Sequence, residues 1–264
     1  MKITGTLTKM LTEYQDPIRY YLNFKSGFVD VNQVIGKNMS VNHIAYECQS
    51  CGLNKPIFRM GFCKNCFFTV PEANPSILKP ELSTAHLGEE QRDLEWEQKF
   101  ELQPHIVYLA LSGGLKVGVT REKQVPYRWI DQGASQAMIF AETKNRYEAG
   151  MLEVLLKENL ADKTNWQRML KNENPDVDLI EMKHEQKNML SEEQVSMYST
   201  NDKIWEIHYP IETYPSKVKS LTLSKVPEFT HKLIGIRGQY LIFEDGVVFN
   251  VRNHEGYVVD LSIA

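Results

Sequence analysis

No apolar run in the sequence approaches the ~18–20 residues of a membrane span, so no spanning helix is expected. The first residues, MKITGTLTKM, lack the apolar core of a secretory signal, and a cytoplasmic protein is expected. Cysteine is missing outside positions 48–66, which excludes a disulfide framework spread through the fold. An excess of positive charge is missing too: 30 Lys and Arg face 34 Asp and Glu, a formal net charge of -4. Phosphate binding needs cations to displace counterions, so any contact with DNA or RNA must use a local patch. A Walker loop, a dinucleotide-binding glycine fingerprint and a Ser–His–Asp pattern are all absent, and the His and Trp residues show no ligand spacing. Repeats of solenoid type are absent as well.

What is present suits a globular protein of one large or two to three small domains, 264 residues long and 42% hydrophobic. The expected class is α+β, with β-rich segments at both ends. Residues 1–46 alternate in strand fashion, for example IRYYLNFKSGFVDV. Residues 47–70 hold the cysteines. Residues 71–103 are rich in Glu and Pro and read as a solvated, wrapping linker with one helix. Residues 104–172 carry two strands, HIVYLALS and LKVGVT, divided by Gly113-Gly114 as a two-residue hairpin turn. A short helix near 126–132, a strand near 137–142 and a helix from Asn145, its N-cap, to about Asn159 complete a ββαβα order. Residues 173–204 read as acidic and helical. Residues 205–264 read as a β-meander, with hairpin turns at Asp245-Gly246 and Glu255-Gly256. The strand-rich ends can pair into one sheet or barrel.

The cysteines form two CxxC pairs, Cys48/Cys51 and Cys63/Cys66, with eleven residues between them. This spacing fits a four-cysteine structural zinc site, a zinc ribbon in which each pair forms a knuckle. Gly52 and Gly61 stand where such turns need relaxed sterics. An iron–sulfur or redox role and free thiols are the alternatives. Four protein ligands leave no open position, so His43 nearby is not needed. Lys55, Arg59 and Lys64 decorate the segment and can meet phosphate, or simply face solvent.

Within residues 106–165, Tyr108 ends the triplet IVY on the first strand and Lys116-Val117-Gly118 lies on the second. Arg128 follows in YRWIDQG and Glu153 in AGMLEVLL. In this order and spacing the stretch resembles the core of the GIY-YIG nuclease superfamily. The whole chain also resembles a poorly characterised bacterial family that joins a zinc-binding segment to such a core, through KVGVT, RWIDQGA and DKTNW. The resemblance implies a metal-dependent nucleic-acid phosphodiesterase. Glu153 would hold one catalytic divalent ion such as Mg²⁺, Arg128 would contact the scissile phosphate, and Tyr108 would orient or deprotonate water. Lys116 departs from the pattern, standing where the family usually has a second tyrosine; it would act as a base or as a cation on the phosphate.

Each of these residues has an ordinary reading. Tyr108 can be core, Lys116 an edge-strand charge that deters aggregation, and Arg128 a surface residue stacked on Tyr127 or Trp129. Glu153 can pair with Lys157 four residues on, with Glu148 as a competing carboxylate in the first turn. Arg121 and Lys123 read as solvated turn residues, and Asn165 as a further site candidate. Two other functions therefore stay open: a non-catalytic DNA- or RNA-binding module, and a zinc-stabilised protein-interaction protein.

Overall fold

Alternation of apolar and polar residues brings the two ends of the chain into one sheet. The computed structural model describes residues 1–161 and 163–264; Asp162, the first residue of DKTNW, lies outside them. The strand Lys2–Thr6 pairs antiparallel with Tyr257–Ile263, which pairs in turn with Asn38–Tyr46. The sheet continues through Glu228–Arg237, Tyr240–Phe243, Val247–Asn250 and Lys219–Leu221. Met39 and Val41, and Val259 and Leu261, are buried two residues apart, as a half-buried strand requires. A second sheet, Leu11–Glu13, Arg19–Phe24 and Gly27–Asp30, buries Tyr20, Leu22 and Phe24 by the same period. These strands belong to one compact unit made of Met1–Thr69 and Ile207–Ala264.

The C-terminal region departs from a simple meander. Asp245-Gly246 turns a hairpin, with Gly246 at φ +75° between the paired strands Tyr240–Phe243 and Val247–Asn250. Glu255-Gly256 does not. The strand Tyr257–Ile263 leaves its neighbour in sequence and inserts between Lys2–Thr6 and Asn38–Tyr46. A Cβ at Gly256 would lie 2.7 Å from Ile57 Cδ1, so this glycine serves a close approach to the cysteine segment. Lys219–Leu221 adds in parallel to Val247–Asn250, a pairing that no hairpin signal announces. Trp205–Glu206 joins a different sheet altogether.

That other sheet belongs to the second unit, Val70–Glu206. Its antiparallel order is Trp205–Glu206, Gln136–Thr143, His105–Leu111, Leu115–Arg121. Every residue of His105–Leu111 is buried, which explains its unbroken apolar run. The turn after it is longer than the Gly-Gly pair suggests: Leu111 faces Leu115, with Ser112, Gly113 and Gly114 between. Gly113 has φ +68°, and a Cβ there would sit 2.4 Å from the Asn165 carbonyl oxygen. The helix Tyr127–Asp131, the strand Gln136–Thr143 and the helix Arg146–Leu156 follow. Asn145 caps the last of these, accepting from Glu148 N at 2.9 Å. Ala149, Leu152 and Leu156, three and four residues apart, pack with Val107, Leu109 and Val117 in one core.

Residues 72–101 keep an exposed face, but part of the segment is packed rather than solvated. Glu97 and Glu101 are each 1% exposed. Glu101 accepts from the hydroxyls of Ser76 and Ser83, both at 2.5 Å, and Glu97 from Asn74 Nδ2 and Arg92 N, both at 2.7 Å. The turn Pro80–Leu82 lies on the helix Arg146–Leu156 where Gly150 has no side chain; a Cβ there would be 2.2 Å from Glu81 N. Acidity misleads here because two of the carboxylates, Glu97 and Glu101, are internal acceptors. The segment 173–204 contributes the helices Leu179–Lys187 and Glu192–Val195. Lys183 is fully buried and donates to Asn201 O at 2.8 Å and Asp202 Oδ1 at 3.0 Å.

Candidate functional site

The cysteine segment builds its cluster from two unlike halves. Cys48 and Cys51 stand on a tight turn closed by Gly52 N donating to Cys48 O at 2.8 Å, with Gly52 at φ +68°. The second pair is not a matching knuckle. A hairpin of Ile57–Arg59 and Phe62–Cys63 turns through Met60 and Gly61, both with positive φ, the backbone of a two-residue hairpin. Cys63 ends that hairpin, and Cys66 lies on the single helical turn Lys64–Phe67. The four sulfurs all lie within 4.8 Å of one another. A tetrahedral ion with metal–sulfur bonds of ~2.3 Å needs sulfurs about 3.8 Å apart, so the cluster fits one metal ion.

Its electrostatics point the same way. Burial raises the Cys48 thiol, but the N–H groups of Cys63, Cys51 and Ser50 outweigh it and hold the group at about 6; Cys63 N lies 3.3 Å from the Cys48 sulfur. Ser50 lowers Cys66 through a hydrogen bond, yet burial and the three neighbouring thiols push it up to about 11. Four thiolates crowd one another until a cation joins them. His43 takes no part: its Nε2 meets Ala45 O and its ring packs against Tyr46 and Tyr257.

A second cluster forms in the other unit. Tyr108 faces Gly118 across the hairpin, and its hydroxyl donates to Gln132 Oε1 at 2.7 Å. Lys116 Nζ donates to the same oxygen at 2.5 Å and to Thr164 Oγ1 at 2.9 Å. Lys116 is 3% exposed, so the edge-strand reading fails although Leu115–Arg121 does end the sheet. The chain after Leu160 covers it: Lys116 bridges to Ala161, and Val117 N donates to Ala161 O at 2.9 Å. Burial raises the Tyr108 hydroxyl; Arg128 opposes through its charge and a hydrogen bond, and the Glu153 charge adds to the rise. Tyr108 is thus a neutral hydroxyl near pH 7, held by Gln132 in the field of the Arg128 charge.

Glu153 is 8% exposed and pairs with Lys157 at 3.2 Å. It also raises the guanidinium of Arg146, which burial chiefly lowers to about 10. The structure therefore joins Tyr108 and Lys116 through Gln132 and sets Tyr108 in the field of Arg128 and Glu153. Glu148 is engaged elsewhere, accepting from Lys144 N at 2.9 Å. Asn165 caps the helix Trp166–Leu170 by accepting from Arg168 N at 3.2 Å. Arg121 is not simply solvated: its guanidinium lies 4.2 Å from the Phe100 ring centroid. Lys123 is exposed.

Two members of the cluster, Gln132 and Thr164, escape a search for charged or nucleophilic side chains. Their only sequence signal is position, inside RWIDQGA and DKTNW.

A family model described as Protein of unknown function (DUF2797) matches residues 36–259. No curated protein matches the chain, and no solved structure matches it.

Proposed function

This chain belongs to that family, Protein of unknown function (DUF2797), and from its own residues we propose that it is a metal-dependent nucleic-acid phosphodiesterase of GIY-YIG type, stabilised by a structural zinc ion on Cys48, Cys51, Cys63 and Cys66. The observation that carries the reading is the meeting of Tyr108 and Lys116 on one oxygen, Gln132 Oε1, with the charges of Arg128 and Glu153 acting on the Tyr108 hydroxyl.

Phosphodiester hydrolysis adds water at phosphorus, breaks one P–O bond and must stabilise negative charge on the phosphoryl oxygens. Arg128 supplies a guanidinium suited to two of those oxygens. The acceptors around Lys116, Gln132 and Thr164 suit an ammonium donor, so Lys116 serves as a second cation rather than as the base. Tyr108, neutral and fixed by Gln132, orients the attacking water. Glu153 is the carboxylate that would hold a divalent ion, whose role is to lower the pKa of bound water and polarise the phosphate. Thr164 and Gln132 fix the direction of the lysine head.

The rival reading, a non-catalytic module that binds nucleic acid, rests on the engagement of Glu153 with Lys157 and of Lys116 with Gln132 and Thr164. Incubating the purified zinc-loaded protein with end-labelled single- and double-stranded DNA and RNA, with and without Mg²⁺, separates the two. Cleavage that needs Mg²⁺ and falls about a hundredfold in Arg128→Ala supports the enzyme. Binding without cleavage, weakened by Arg128→Ala, supports the module.

A further inference from the structure

The metal-binding segment carries an aromatic face that metal chelation does not need. Phe58 on the hairpin strand and Phe67 and Phe68 beside Cys66 meet with ring centroids 5.2, 5.8 and 5.3 Å apart. Phe58 is 45% and Phe68 57% exposed, a large apolar outlay for a surface. Arg59 holds its guanidinium 5.7 Å from the Phe58 centroid. Lys64 is exposed and precedes Phe67 and Phe68 by three and four residues, which places it on their side of the helical turn. Residues 48–69 contain three cations and no carboxylate within a chain of net charge -4.

We propose that this face binds single-stranded nucleic acid, with Phe58 and Phe68 stacking on bases while Arg59 and Lys64 meet the backbone. Exposed rings flanked by cations are what an unpaired strand needs, because every base offers a π face and stacking tolerates any sequence. A duplex hides those faces. The absence of carboxylates favours an anionic partner over a neutral one, and the exposed rings favour unpaired bases over an acidic protein surface. The metal matters because it fixes the geometry: Phe62–Cys63 pairs with the strand that carries Phe58, and Cys66 precedes Phe67 and Phe68 directly. Few cations take part, and a divalent ion among four thiolates leaves a net negative charge behind them, so binding rests chiefly on stacking and its salt dependence is shallow.

This surface is distinct from the Tyr108–Glu153 cluster, and it binds whether or not that cluster cleaves. The test is fluorescence anisotropy of a labelled oligodeoxythymidylate, alone and annealed to oligodeoxyadenylate, titrated with the full-length zinc-loaded protein without Mg²⁺. The single strand is expected to bind more tightly than the duplex. Phe68→Ala and Phe58→Ala should each weaken it by roughly five- to a hundredfold with the zinc content unchanged, and Phe58→Tyr should restore binding. Cleavage is assayed separately with Mg²⁺, so a failure of this binding and a failure of cleavage are read apart. The proposal is overturned if the single strand does not bind, if it binds no better than the duplex, or if zinc-replete Phe58→Ala and Phe68→Ala bind as the wild type does. It is equally overturned if those variants change only the sedimentation of the protein, which would make the face a contact between copies of the chain.

Discussion

Tyr108 occupies the space that a side chain at position 118 would fill. The two residues face each other across the hairpin, and a Cβ on Gly118 would lie 2.5 Å from the Tyr108 hydroxyl oxygen and 2.6 Å from Cζ. The glycine is therefore required by its neighbour's ring, not by its own backbone. Gly118→Ala should destabilise the protein by about 1–3 kcal/mol, the usual cost of overpacking, and displace the hydroxyl from Gln132. Urea unfolding checks the first effect. A variant as stable as the wild type would show that the ring has room to move.

Gln132 is the shared acceptor of two buried donors, Tyr108 and Lys116. Gln132→Leu removes the acceptor and leaves both donors behind. A loss of about 1–3 kcal/mol is expected, more if the ammonium finds no other partner. In a double-mutant cycle with Tyr108→Phe, the two changes should fail to add, by about 0.5–3 kcal/mol. Additive losses would separate Gln132 from Tyr108 energetically.

The cluster was half visible in the sequence, and the split has a physical cause. Tyr108, Lys116, Arg128 and Glu153 belong to residue types that carry charge or protons, and their order along the chain resembles a known core. Gln132 and Thr164 are neutral, and only the tertiary fold brings Ala161 and Thr164 beside Lys116. The same limit applies to the fold. Apolar runs divided by glycine turn signals announce the hairpins at 105–121 and 240–250, but not the insertion of Tyr257–Ile263 between two distant strands, since pairing partners are not encoded in local pattern. Gly256 is a turn signal in sequence and a close-approach residue in structure. Glu97 and Glu101 look solvated until the serines and asparagine that bind them fold alongside.

His105 makes stability depend on pH. Burial, aided by Arg146 and Arg121, outweighs its bond to Gln103 O and takes it from the ordinary 6.5 down to about 4. The unfolded chain binds this proton near pH 6.5 and the folded chain only near pH 4. Stability is complete above pH 6.5 and falls as pH drops towards 4, by about 3 kcal/mol from this group. Unfolding free energies of the wild type and His105→Leu, measured across that range, test it. The leucine variant should lose the part of the slope due to this residue; equal slopes would contradict the assignment.

The cysteine cluster should carry one equivalent of zinc by metal analysis. Cys63→Ser should lose it, together with the order of residues 48–69, because structural zinc contributes ~10 kcal/mol or more to small metal modules. A fully folded, metal-free wild type would contradict the site. The second unit, 70–206, contains none of the ligands and should keep its own helix content.

If Glu153 holds the divalent ion of a phosphodiesterase, as proposed, Mg²⁺-dependent cleavage is lost in Glu153→Gln. An amide keeps the shape of the side chain but is a poor ligand for a hard cation. Lys157→Met is the control, since it removes the ion pair at 3.2 Å and leaves the carboxylate. The account predicts cleavage by the wild type and by Lys157→Met, and none by a folded Glu153→Gln. Equal cleavage by Glu153→Gln and the wild type, or no cleavage by a zinc-loaded wild type with Mg²⁺, would contradict it.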